Sequence, residues 1–261
     1  MNRILALFAF ALSIALFPRP SPASVVRSAY APEGVFYAWS DALEAPGGTR
    51  PKEAVVCFPD GTCTTAEVGR WAADADCERW SPNLPQKLEA LLGELVKAGF
   101  GPELLRGLKT YILPAYALTL LDVPDKPGYA VFGFQVPRTN IIALAGLWWD
   151  TQRNFLHELG HLVANETLGV SGYSWQGANE KGREYLKLRG YPDKPLGEYT
   201  QAELPWGDRA AEWFAEDFMY WAASRTGHCS FLDRYFADGK PDEKVLVWFD
   251  RVFLTKQNCA R

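Results

Sequence analysis

Histidine is scarce in this chain, with three copies among 261 residues, and methionine is scarcer still, with two. Lysine and arginine never gather into a run, and the formal charge of −4 is mildly acidic. That balance excludes nucleic-acid binding through phosphate neutralisation. None of the five cysteines shows the C-x-x-C spacing of a zinc finger or a thiol redox site. Beyond the N-terminus no segment has the roughly 20 apolar residues of a membrane span. Internal repeats and low-complexity tracts are also lacking, so repeat architectures and disordered tails are excluded. What remains is a globular composition, 48% hydrophobic and 14% aromatic, with ample material for a core.

Residues 1–24 read as a signal peptide. Arg3 supplies the positive start, Ile4 to Phe17 the apolar stretch, and "PRPSPAS" small residues for cleavage near Ala23 or Ser24. An uncleaved anchor is the alternative. The expected location is secreted or periplasmic, in the cell envelope. Export makes disulfides chemically available. Cys57 and Cys63 flank a Pro-Asp-Gly turn, which suits a disulfide across a hairpin. Cys229 can tie to Cys259, and Cys77 is left over or competes for Cys63.

Residues 25–80, rich in turn signals with short strand-like runs, read as a small N-terminal extension. Residues 81–261 read as the main domain, of class α+β. A helix follows Ser81, with Leu84, Leu88, Leu91, Leu92 and Leu95 along one face and Gly99 or Gly101 as its stop. "GYAVFGFQ" and "TNIIALAG" then read as strands. A helix capped by Asp150 or Thr151 runs to Gly169, and a strongly periodic one fills Asp208 to Gly227.

The chemistry lies in "FLHELGHLVAN". His157 and His161 are four residues apart, so both rings leave one face of a helix whose other residues are largely apolar. Buried imidazoles need partners, and H-E-x-x-H presents two of them to one zinc ion. Glu158 lies beside the ligands, where a carboxylate can act as general base on a water acidified by the metal. Gly160 leaves room for another element or the substrate. A catalytic zinc wants a third protein ligand and one open position. His228 is the one remaining histidine. "AEWFAEDF" is the better source, because Glu212 and Glu216 stand four apart among Trp213, Phe214 and Phe218. One carboxylate can bind zinc while the other accepts the outer N–H of a ligand histidine. Asp208 and Asp217 read as a solvated stripe.

H-E-x-x-H followed by a glutamate on a later helix resembles the gluzincin group of zinc metallopeptidases. "AEWFAEDF" is similar to the E-F-F-A-E-x-F helix of the anthrax lethal factor-like catalytic domain family. The resemblance implies a zincin-like domain, with a small mixed sheet, a motif helix and a second glutamate-bearing helix. It implies Glu212 as the third zinc ligand and Glu216 as its support in the second shell. The family also has a tyrosine about two turns before the ligand glutamate, to stabilise the oxyanion. Here Pro205 stands near that place; Tyr199 is the nearest upstream substitute, and Tyr173, Tyr191 and His228 are others.

The expected function is an exported, monomeric zinc endopeptidase acting on a peptide or protein substrate. An extended substrate would add to a sheet edge at "GYAVFGFQ" or "TNIIALAG", and Trp148 and Trp149 are core aromatics or subsite walls. The alternatives are a catalytically silent zincin-fold binding protein and a metallohydrolase with another substrate.

Overall fold

The computed structural model describes residues 24–38, 53–57, 63–67, 83–113, 117–120, 133–136, 138–145, 151–172, 174–191, 208–234 and 239–255. They form a mixed α+β fold, the class expected. The main sheet has the strand order β1-β2-β5-β8-β7. Strand β1 (Ser24–Arg27) pairs antiparallel with β2 (Val35–Ala38), and β2 runs parallel to β5 (Lys109–Leu113). Strand β5 is parallel to β8 (Ile141–Ala145), which is antiparallel to β7 (Gly133–Gln135). The two N-terminal strands thus belong to the same sheet as the strands next to the motif. A second sheet joins β3 (Glu53–Cys57), β4 (Cys63–Glu67) and β6 (Ala117–Leu120), all antiparallel. Its register sets Cys57 opposite Cys63. Cys229 is a free, exposed thiol rather than half of the expected tie to Cys259, which lies outside the described residues, as does Cys77.

Local sequence explains the elements. Strand β8 reads IIALA, and Ile141, Ile142, Ala143 and Leu144 are all buried, as suits a strand with neighbours on both edges. Helix α1 (Leu84–Lys97) turns its five leucines inward, with Pro85 in its first turn. Its N-cap is Asn83, and Ser81 lies outside the described residues. Helix α2 (Thr151–Leu168) carries the H-E-x-x-H motif and stops where Gly169 takes a φ of 73°. Helix α3 (Glu180–Leu188) is capped by the Asn179 side chain. Helix α4 (Ala210–Thr226) bears Glu212 and Glu216, and Asp242 caps α5 (Glu243–Phe253).

Packing fixes the helices on the sheet. Helix α2 lies against β7 and β8, α1 against β1 and β2, and α4 against α2. Behind α4, Phe214, Phe218, Trp221, Trp248, Phe249 and Phe253 form one aromatic cluster with centroids 5.2–6.3 Å apart. Such a wall gives α4 one seating against α2. Among the described residues no helix is long and apolar enough to cross a membrane.

Candidate metal centre

The site is built where α2 and α4 touch. Their contact hinges on Gly160, where an added Cβ would lie 2.8 Å from Ala215 Cα and 3.2 Å from Phe218 Cβ. The close approach anticipated at Gly160 is therefore to another helix. It lets short glutamate side chains on α4 reach the histidines of α2.

Glu212 Oε2 lies 3.1 Å from His157 Nε2 and 3.5 Å from His161 Nε2. The three donor atoms sit within 4.8 Å of one another, with His157 and Glu212 buried and His161 half-buried. Zinc with ligands about 2.0–2.1 Å away has a tetrahedral edge of about 3.3 Å. The separations of 3.1 Å and 3.5 Å bracket that edge, so the donor set fits one small cation. Two imidazoles and a carboxylate also match the ligand types zinc favours. His228 is elsewhere: it pairs with Glu94 at 2.7 Å and stacks on Phe231.

Glu216 supports the set from the next turn. His157 Nδ1–H donates to Glu216 Oε1 at 2.7 Å, which orients the ring so that Nε2 faces Glu212. The second oxygen, Oε2, accepts from Arg153 at 2.6 Å, with both side chains buried. Arg153 was not singled out from sequence. The signal was present: an arginine four residues before His157 on an apolar helix requires a buried counter-charge.

Electrostatics of the metal-free site follow from this crowding. Burial works to lower the His157 pKa, but hydrogen bonds to Glu212 and Glu216, with the charges of Glu216 and Glu158, outweigh it and raise it to about 10. Burial likewise works to raise the Glu212 pKa, but His161 and His157 hold it well below the usual carboxylate range. A proton on His157 thus occupies the place a cation would take.

Glu158 lies against strand β7. A Cβ at Gly133 would sit 3.1 Å from Glu158 Cγ and 3.2 Å from its Oε1, so the carboxylate lies against bare backbone. Val136 N–H bonds inward to Ile141 O, and alternation along the strand points the Gln135 N–H off the open edge. Burial raises the Glu158 pKa, partly offset by His157 and His161.

No family model, curated protein or solved structure matches the chain. Assignment therefore rests on the geometry. His157, Glu158, His161, Glu212 and Glu216 converge. Tyr199, Tyr173, Trp148 and Trp149 lie outside the described residues. Tyr191 packs edge-on against Trp213 at 5.1 Å. Asp208 is exposed, but Asp217 is not the solvated residue expected: it is fully buried, accepting from Tyr185 Oη at 2.7 Å and Arg189 Nε at 2.8 Å. Helix α4 is buried on nearly every face, which leaves no room for a solvated stripe.

Proposed function

We propose that the protein is a zinc-dependent endopeptidase of the gluzincin type with a zincin-like fold. In this reading His157, His161 and Glu212 hold the ion, and Glu216 orients His157. The observation that carries the reading is the position of Glu158, between the histidine pair and the open edge of β7. Those three residues would hold a zinc, which would supply the acidified water and the polarised carbonyl oxygen that amide hydrolysis requires. Glu158 accepts the proton of the attacking water and delivers it to the leaving nitrogen as the C–N bond breaks. Burial raises its pKa, the direction that makes it a better proton acceptor.

The substrate class follows from the edge. Among the described residues β7 ends the sheet, so its outward backbone groups are available to an extended chain. A peptide adds to such an edge by main-chain hydrogen bonds, which brings its carbonyls past Glu158. Tyr199 is assigned to the oxyanion, and the apolar leader at residues 1–24 directs the chain out of the cytoplasm, where it acts as a monomer.

The test joins metal content to turnover. Residues 25–261 should carry one zinc per chain, lost in Glu212→Ala, and should cleave a random peptide library. Glu158→Gln should keep the zinc and lose the cleavage. A wild-type protein that holds no zinc, or a loaded one that cleaves nothing, refutes the reading.

A further inference from the structure

Asn154 is buried, 8% exposed, and its Nδ2 has no hydrogen-bond partner among the described residues. It lies on α2, one turn before Glu158. An unanswered amide in such a place is costly, and asparagine is a poor helix former besides. Leucine has nearly the same shape and would remove both costs. Packing alone gives no reason for an amide here.

Helix geometry says what the amide faces. At about 100° per residue, with Asn154 as origin, Glu158 lies at about +40°, His161 at about −20°, His157 at about −60° and Gly160 at about −120°. Strand β7 meets the helix on the Glu158 side, through Gly133, and α4 meets it on the Gly160 side, through Ala215. Asn154 and the half-buried His161 therefore share the arc between strand and helix. Along the axis Asn154 stands about 6 Å from Glu158. An extended chain covers that distance in about two residues, with alternate side chains turned to one face. A peptide on the edge of β7, with a carbonyl at Glu158, thus brings the side chain of a flanking residue over Asn154.

We propose that Asn154 is a specificity-determining residue, whose Nδ2–H donates to a neutral, oxygen-bearing side chain next to the scissile bond, a carboxamide above all. The inference rests on the peptidase reading of the site. Charge narrows the choice: a substrate carboxylate would settle one turn from the ionised base, and like charges at that range repel. An aliphatic side chain would cover Asn154 and leave its donor unpaired. Sites built to hydrogen-bond a substrate reject analogues on that ground. Asparagine and glutamine carry the acceptor without the charge.

The experiment titrates the zinc-loaded protein with short peptides capped at either terminus by a zinc-binding hydroxamate. The residue next to the cap is glutamine, asparagine, glutamate or leucine, and binding is read without turnover. Cleavage of matching uncapped peptides, zinc content and melting temperature are read alongside. Wild type should bind the better carboxamide peptide about tenfold or more tighter than its leucine and glutamate counterparts. Asn154→Leu should lose that preference, keep its zinc, and melt about 2–4 °C higher, because an unpaired buried amide is gone. Asn154→Ala should lose the same preference. Equal binding of carboxamide and leucine peptides by wild type overturns the proposal. So does a preference that survives in Asn154→Leu, or a melting temperature that fails to rise there, since the amide would then be satisfied within the fold. If the preference follows Asn154 and the loaded protein cleaves no peptide, the peptidase reading has failed and the recognition role has not.

Discussion

Gly160→Ala separates two physical arguments that differ in sign. On helix propensity alone, alanine in the middle of α2 should stabilise by about 1 kcal/mol. Packing opposes this. The new Cβ would sit 2.8 Å from Ala215 Cα and 3.2 Å from both Ala215 O and Phe218 Cβ. Carbon atoms settle about 3.5–4.0 Å apart, so the helices must part by about 0.7 Å, and backbone cannot swing aside as a long side chain does. Overpacking of this kind costs about 1–3 kcal/mol. The upper half of that range applies because all three contacts are rigid, so we expect a net loss of about 1–2 kcal/mol. The ligands should register the same displacement. Glu212 is three residues before Ala215 and stands 3.1 Å and 3.5 Å from the two imidazoles. Opening by about 0.7 Å takes both separations past the tetrahedral edge of about 3.3 Å, and zinc affinity should fall about tenfold or more. Urea denaturation of the metal-free variant and zinc competition against a chromogenic chelator measure the two effects. A variant that gains about 1 kcal/mol with undiminished zinc affinity would refute the close-contact argument.

Three further outcomes follow from the same site. Glu216→Gln leaves Arg153 buried without its counter-charge and His157 without a carboxylate, and should cost about 3–5 kcal/mol and about 10–100-fold in zinc affinity, by denaturation and chelator competition. In the metal-free protein His157 is raised from 6.5 to about 10, so its protonation stabilises fully below pH 6.5 and that contribution is lost as pH rises through about 10. On the proposed ligand set, zinc would displace this proton, so loading at pH 8 should release about one proton, seen by calorimetry in buffers of differing ionisation enthalpy. The Glu158 pKa is raised by burial, so its contribution is full below pH 4.5 and lost above it. Metal-free Glu158→Gln should therefore gain on wild type in denaturation midpoint as pH climbs from 4 towards neutrality.

Much of the site was legible because it is carried by helical spacing. His157 with His161, and Glu212 with Glu216, are each one turn apart, and buried groups so spaced need a common partner. The leucine face of α1 was legible for the same reason. What periodicity misses is contact between distant segments. Asp217 neighbours Glu216 and looked like surface, but its partners Tyr185 and Arg189 come from α3 and the turn after it, roughly thirty residues away. The neighbour of Glu158 across β7 is likewise backbone from a distant segment, which no side-chain pattern encodes. Gly133 differs from Gly160 in this respect, since nothing in "VFGFQ" announces that a carboxylate lies across it.

The split of the ligands between α2 and α4 also sets an order of events in time. His161 and Glu212 are 51 residues apart (212 − 161), and closing a loop of that length costs about 3–4 kcal/mol of chain entropy. Two imidazoles on α2 alone make a weak, unselective hold. Tight capture waits until α4 has docked, which requires the aromatic wall behind it to form. A chain still emerging, with α2 made and α4 not, carries the whole H-E-x-x-H motif and no stable ion. In the proposed zinc enzyme the rate of capture at saturating zinc should equal the rate of helix docking, which would make the metal a clock for the last step of folding.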